Sequence, residues 1–162
     1  MEQQPTVNNQ PDLKIPFAVK CFGSGFFTGF FPYASGTVGS AAALLFFLIP
    51  AFHVSFVIIP VTAVFFILGG ISAGMMETKY GQDPRQVTID EFVGMFVSLW
   101  FVPISLLNIG LAFLIFRILD ILKPYPAGEF DKRPGGWNIM LDDVVAGLYT
   151  NFILQISLRF LN

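Results

Sequence analysis

Apolar residues run in long uninterrupted segments along most of this chain, and charged residues are confined to a few short stretches. No Asp, Glu, Lys or Arg occurs in residues 21–76, 92–116 or 144–158. A membrane helix needs about 20 apolar residues to cross the hydrocarbon core. The pattern therefore predicts an integral membrane protein built from helices.

The apolar segments divide into five predicted helices. The first run is too long for one crossing and is interrupted near "IPAFH". The predicted helices cover approximately residues 37–52, 54–76, 90–101, 109–122 and 142–160. Several are short for a complete crossing, so some are expected to be tilted or only partly spanning. We predict an all-α polytopic bundle of about four to five membrane helices, preceded by the Gly-rich loop "GSGFFTGFFPYASGTVGS".

Positive charges are distributed unevenly between the predicted connections. If each helix crosses once, the N-terminal tail, residues 77–88 and residues 123–138 share one side of the membrane, and every Lys and Arg except Arg159 falls on that side. By the positive-inside rule this side is cytoplasmic. We predict a polar, flexible tail over residues 1–20 and a membrane-embedded domain over residues 21–162.

Composition supports this class and excludes others. Only 12% of the 162 residues are charged, against roughly 25% in soluble domains. The net charge of −2 gives no indication of a nucleic-acid partner. The single Cys21 excludes a disulfide within the chain. The only histidine, His53, lies on the opposite side from most charges, so a phosphohistidine mechanism has no candidate residue.

Ionisable residues gather in three clusters at predicted helix ends on the cytoplasmic side. The clusters are Asp90 with Glu91, then Arg117 with Asp120 and Lys123, and finally Asp142 with Asp143. Charged groups in membrane segments are costly and by default indicate a functional site. We therefore expect helix packing to bring the three clusters together.

Each cluster also has a purely structural interpretation. Thr88 and Glu91 match a capping box at a helix start. Arg117 and Asp120 have the spacing of an ion pair within one helix, with Lys123 reaching the interface. One of the two adjacent aspartates that open the last predicted helix could cap it. Capping explains only one of those two carboxylates.

Together the clusters have the composition of a metal-dependent phosphate site. Carboxylate oxygens suit Mg²⁺, which usually binds one or two carboxylates, water and substrate phosphate. Arg117 and Lys123 would supply cations for an anion. The free N–H groups of the helix that follows "SGTVGS" could also hold phosphate, although its glycines could equally serve close helix packing. The residues do not choose between a metal-activated water and a carboxylate as nucleophile.

Four segments in series carry a family resemblance. "GSGFFTGFFPYASGTVGS", "DPRQVTIDEFVGM", "FRILDILKPYP" and "IMLDDVVAGLYTN" resemble, in this order and over residues 22–151, the phosphatidylglycerophosphatase A family of bacterial inner-membrane enzymes. One departure is Ser35, where the family often has Pro. The resemblance implies a multi-pass inner-membrane protein with its active site at the cytoplasmic face. It also implies Mg²⁺-dependent hydrolysis of phosphatidylglycerophosphate to phosphatidylglycerol and inorganic phosphate.

The resemblance also suggests roles for individual residues. The implied metal ligands are Glu91, Asp120, Asp142 and Asp143. Asp90 is implied as a further ligand or as the general base, and the implied phosphate-binding residues are Arg117, Lys123, Thr37 and Gly36. The expected partners are the phosphatidylglycerophosphate substrate and the surrounding membrane lipids. The sequence gives no indication of an oligomeric state.

Three other classes of protein compete with this interpretation. The main alternative is a small ion-coupled transporter, because paired membrane carboxylates also suit cation or proton pathways. A transporter would favour polar residues near the midplane, whereas these lie toward one face. A phosphotransferase using a CDP-alcohol would carry an Asp-Gly-x-x-Ala-Arg signature, which is missing. A noncatalytic helical subunit would not require so many carboxylates in one place.

Overall fold

The computed structural model describes residues 14–161, and over this range all regular secondary structure is helical, with no strand. The seven α-helices are α1 (Phe17–Gly23), α2 (Ser35–Leu44), α3 (Ser55–Tyr80), α4 (Ile89–Ser98), α5 (Leu106–Leu122), α6 (Ala127–Asp131) and α7 (Gly136–Leu161). Three short 3₁₀ turns cover Thr28–Phe30, Leu45–Leu48 and Pro50–His53. The all-α prediction is confirmed. Most of the predicted tail, residues 1–13, lies outside the described residues.

Two helices, α3 and α7, are each long and apolar enough to cross a membrane. Both have 26 residues and so extend about 39 Å, more than the roughly 30 Å hydrocarbon core. The ten-residue α4 extends only about 15 Å. The fold is consistent with a membrane protein, and the larger number of crossings remains a prediction.

The last helix begins six residues earlier than its predicted start at Asp142. Gly135 has a left-handed φ of +116°, and its N–H donates to Glu77 Oε2 at 2.8 Å, which fixes the turn immediately before α7. Asp142 and Asp143 therefore lie in the second turn of α7. The interpretation of one of them as an N-terminal cap is wrong, because the helix start is formed by the glycine turn instead.

Helix α4 occupies the centre of the bundle, where every residue except Asp90 is buried. Its packing against α7 is close because both helices carry a glycine at the contact: a Cβ on Gly147 would lie 2.5 Å from the Gly94 carbonyl oxygen. On another side of α4, Phe92 and Phe96 pack in a phenylalanine cluster that also includes Phe46. Helix α4 thus fixes the first turn, which carries Asp90 and Glu91, relative to the rest of the bundle.

Candidate active site

A polar cavity of about 330 Å³ opens between α2, α4, α5, α7 and the loop that joins α3 to α4. Its charged and small polar lining residues are Ser35, Gly36, Asp83, Arg85, Asp90, Glu91, Asp120, Lys123, Asp142 and Asp143. The four implied metal ligands and Asp90 are all among them, together with Lys123 and Gly36. Two other predicted site residues, Arg117 and Thr37, are not among the described residues that line the cavity.

Arg117 holds two carboxylates from different helices. Its Nη1 donates to Glu91 Oε1 at 2.7 Å and to Oε2 at 2.6 Å, and it lies 2.8 Å from Asp120 Oδ2. The predicted ion pair with Asp120 is thus formed, but it extends to α4. Because the Arg117 guanidinium contacts both acids, it fixes the positions of Glu91 and Asp120 in the lining of the cavity.

Ser40 on α2 is a site residue that sequence reasoning missed. Its hydroxyl lies 2.5 Å from Glu91 Oε2 and 3.0 Å from the Gly36 carbonyl oxygen, and the side chain is completely buried. A Cβ on Gly36 would collide with Glu91 Oε1. The glycine therefore allows α2 to approach the acid, and the serine one turn later bonds it. The repeated small residues of "SGTVGS" were a signal of this close approach.

Thr88 precedes α4 but does not form the predicted capping box. Its side chain makes no capping hydrogen bond to the helix and instead lies 2.9 Å from the hydroxyl of Thr28. Glu91 contacts Arg117 and Ser40 rather than turning back to the helix start. The capping-box interpretation is wrong, because tertiary partners replace the local ones.

Lys123 ends α5 in a left-handed conformation, with φ of 44°, directly before Pro124. Its Nζ lies 2.7 Å from Asp142 Oδ2 and also forms an ion pair with Asp131 on α6. Partial burial disfavours the ammonium, but these two carboxylates outweigh that effect and raise the pKa of Lys123 above its usual value. Lys123 therefore stays charged and ties α5, α6 and α7 together at the cavity.

Asp143 has an unsatisfied oxygen at the cavity. Asp142 Oδ1 accepts the N–H of Asp143 at 2.9 Å, and Asp90 Oδ1 accepts the N–H of Glu91 at 3.0 Å. In contrast, within residues 14–161 the buried Oδ2 of Asp143 has no hydrogen-bond partner. An orphaned buried carboxylate oxygen is costly and calls for an explanation.

The loop between α3 and α4 supplies two further charged lining residues, Asp83 and Arg85. Ser35 donates its hydroxyl to the Arg85 carbonyl oxygen at 3.0 Å, which joins this loop to the start of α2. Neither residue was among the predicted site residues. The signal was their position in "DPRQVTIDEFVGM", a few residues before the acids of α4.

The donors at the cavity suit a hard divalent cation in chemistry, although they are not arranged as a ready-made metal site. Across the described range, no group of three or more His, Cys, Asp or Glu side chains has metal-binding geometry. Six carboxylates nevertheless line the cavity against two cations, Arg85 and Lys123. With the free oxygen of Asp143, this excess of carboxylate oxygens fits the ligands that Mg²⁺ prefers.

Fold and site together define an all-helical protein with two helices fit to cross a membrane and an acid-rich polar cavity. A family model described as phosphatidylglycerophosphatase A matches residues 21–158. The chain belongs to this family of phosphatases, which confirms the resemblance found in its four sequence segments.

Three curated relatives cover most of the chain. The phosphatidylglycerophosphatase A of Haemophilus influenzae is 36% identical over 153 residues, 90% of this chain and 93% of the relative. The Escherichia coli protein of the same name is 35% identical over 133 residues, 80% of this chain and 77% of the relative. A Bacteroides thetaiotaomicron protein, provisionally named a phosphatidylinositol-3-phosphatase, is 34% identical over 154 residues, 90% of this chain and 97% of the relative. No solved structure matches the chain.

Proposed function

We propose that the protein is a Mg²⁺-dependent lipid phosphatase. Its substrate would be phosphatidylglycerophosphate, and its products phosphatidylglycerol and inorganic phosphate. The observation that carries this proposal is the convergence of six carboxylates and Lys123 on one polar cavity in a chain of this family. The named activity of the Escherichia coli and Haemophilus influenzae relatives supports the choice of substrate.

The protein's own groups have distinct tasks in this reaction. Lys123 offsets negative charge on the phosphate. The N–H group of Gly36, which lines the cavity in the first turn of α2, has no partner within its helix and can bind a phosphate oxygen. Arg117 keeps Glu91 and Asp120 in position. In this account water attacks phosphorus, its proton passes to Asp90, and the bond from phosphorus to the glycerol oxygen breaks. The glycerol oxygen takes up the proton held by Asp90 and leaves as an alcohol.

The metal would be held by Asp143 and Asp142 from α7, Glu91 from α4 and Asp120 from α5. Asp143 offers an oxygen free of hydrogen bonds. When bound, Mg²⁺ would neutralise phosphate charge and favour deprotonation of a bound water.

Phosphate release is the direct test of the function. Purified protein in detergent micelles should release phosphate from phosphatidylglycerophosphate with Mg²⁺, stop in excess EDTA and recover when Mg²⁺ is restored. Phosphatidylinositol 3-phosphate is the second candidate substrate, because the Bacteroides thetaiotaomicron relative is named for it. A preference for that lipid would change the substrate assignment. Undiminished turnover in EDTA would contradict metal dependence, and no release from either lipid would refute the phosphatase proposal.

We also propose that the protein lies in the bacterial inner membrane, with additional helices besides α3 and α7 embedded and the cavity at the cytoplasmic face. The Lys/Arg asymmetry supports this orientation. Single cysteines at Asp131 and His53, placed in a Cys21→Ser background, can be labelled in intact cells with a membrane-impermeant thiol reagent. Labelling should occur at position 53 and not at 131. The reverse pattern would overturn the orientation.

A further inference from the structure

The two cations that the sequence indicated for phosphate binding are already paired in the structure. Arg117 is engaged by Glu91 and Asp120, and Lys123 by Asp142 and Asp131. Each cation therefore has two carboxylates beside it, which offset its charge before any substrate arrives. A cation whose charge is less fully compensated would attract a phosphate group more strongly.

Arg85 is such a cation. It lines the same cavity, yet within residues 14–161 it forms no ion pair with a carboxylate. Its Nη2 donates only to two carbonyl oxygens, at 3.5 Å to Phe31 and 3.3 Å to Pro32. These long bonds to neutral groups leave the positive charge of the guanidinium uncancelled and available to an anion.

Arg85 also differs from the carboxylates of α7 in its exposure to solvent. Arg85 is exposed, whereas Asp142 and Asp143 are 5% and 3% exposed. Its main chain is anchored, because the Ser35 hydroxyl donates to its carbonyl oxygen at 3.0 Å and the neighbouring Pro84 is buried. The exposed side chain of Arg85 therefore extends from an anchored main chain, whereas the acids of α7 that line the same cavity are buried.

We propose that Arg85 binds the phosphodiester of the lipid substrate while the terminal phosphomonoester reaches the buried carboxylates. This inference rests on the proposed function, whose substrate carries these two phosphates on either side of a glycerol. A guanidinium can grip two phosphate oxygens at once, which suits a headgroup that must be held in one orientation. Arg85 would thus select lipids with a diester at the correct distance from the reacting phosphate.

The effect of losing Arg85 on KM and kcat depends on which of the two phosphates Arg85 binds. The diester does not change during hydrolysis, so its contact with Arg85 is equally strong in the ground and transition states. Loss of such uniform binding raises KM and leaves kcat unchanged. Arg85→Gln should raise the KM for phosphatidylglycerophosphate about tenfold, as expected for a charge-assisted hydrogen bond, with kcat within about twofold of wild type.

A matched variant controls for general attraction between a basic protein surface and an anionic lipid. Arg133 is an exposed arginine outside the cavity, in the connection between α6 and α7. Arg133→Gln removes the same charge and should leave KM unchanged. An equal rise of KM in both variants would overturn the assignment of Arg85 to a specific contact.

Two inhibitors identify which phosphate Arg85 touches. Phosphatidylglycerol carries only the diester, and inorganic phosphate resembles only the released group. In Arg85→Gln, inhibition by phosphatidylglycerol should weaken about tenfold, while inhibition by inorganic phosphate stays at its wild-type value. Weaker inhibition by inorganic phosphate together with a fall in kcat would place Arg85 on the reacting phosphate and contradict the proposal.

The outcomes also separate this inference from the function on which it rests. If the wild-type protein releases no phosphate, both the proposed function and the Arg85 inference are refuted. Normal wild-type turnover with an unchanged KM in Arg85→Gln would refute the Arg85 contact alone. If Arg85→Gln does not fold, Arg85→Lys retains the charge without the two-pronged grip and should still raise KM about threefold at constant kcat. An unchanged KM in that variant would refute the contact.

Discussion

Two regions of the molecule share α4 but are built on opposite principles. Glu91 lines the acid-rich cavity, and the next residue, Phe92, packs in the phenylalanine cluster with Phe46 and Phe96 at ring-centroid distances of 5.9 Å and 6.4 Å. The aromatic cluster consists of apolar side chains that fill their space. The cavity gathers buried acids, and one oxygen of Asp143 has no hydrogen-bond partner among the described residues. The cluster stabilises the fold, whereas the cavity costs stability and is explained by chemistry.

Among the variants that distinguish the two regions, Asp120→Asn should have the largest effect on activity. The change keeps the shape of the side chain but removes a charge proposed to hold metal, so activity should fall by at least about 100-fold. Thermal unfolding in detergent, measured beside specific activity, should show a folded protein. Arg117→Lys should also lose most of its activity, because the shorter lysine side chain does not bring its nitrogen to the position from which Nη1 contacts both Glu91 and Asp120.

If the Arg117–Asp120 pair only anchors a helix, the result will differ. Asp120→Asn would then lower Tm and keep near wild-type turnover per folded molecule. Such a result would show that Arg117 and Asp120 have a structural role and no role in catalysis.

The aromatic cluster should respond in the opposite way. Phe96 is fully buried against Phe46 and Phe65, each at 5.4 Å between ring centroids, so Phe96→Ala should cost about 3 kcal/mol of stability by leaving a cavity. Activity per folded molecule should remain within about threefold of wild type. Phe56→Ala is the control, because Phe56 is 92% exposed and its loss should scarcely change Tm. A lower activity of Phe96→Ala without a loss of stability would contradict the assignment of a purely structural role to the aromatic cluster.

Most helices could be predicted from the sequence because uninterrupted apolar runs define them. The second predicted helix, residues 54–76, corresponds to α3 (Ser55–Tyr80), and the third, residues 90–101, to α4 (Ile89–Ser98). The start of α7 could not be predicted, since Gly136 and Asn138 are typical of loops. The contact between Gly135 and Glu77 that fixes this start joins residues 58 positions apart.

The candidate site was predictable as a set of acids and less predictable as a set of contacts. Charge placement brought Asp90, Asp120 and Asp142 together correctly at one cavity. The sequence does not reveal which cations are engaged by acids, because this depends on how α4, α5, α6 and α7 pack. Arg85 was missed for the same reason, since a loop arginine on the expected cytoplasmic side has an ordinary topological explanation.

A smaller effect distinguishes two buried serines. Ser40 and Ser98 each donate to the carbonyl oxygen four residues earlier, but only Ser40 also contacts Glu91. Ser40→Ala and Ser98→Ala should each lower stability by about 1 kcal/mol. Only Ser40→Ala should also reduce kcat, by about threefold to tenfold, because Glu91 loses a partner. Equal kcat values for the two variants would show that Ser40 serves only packing.

Metal binding to the cavity tests the central claim most directly. Mn²⁺ can replace Mg²⁺ as an oxygen-preferring cation and can be counted by electron paramagnetic resonance on the purified protein in detergent. We predict saturable binding by the wild type, at least tenfold weaker binding by Asp143→Asn, and wild-type affinity in the exposed control Glu129→Gln. Equal affinity in wild type and Asp143→Asn, or no saturable binding by the wild type, would contradict the account.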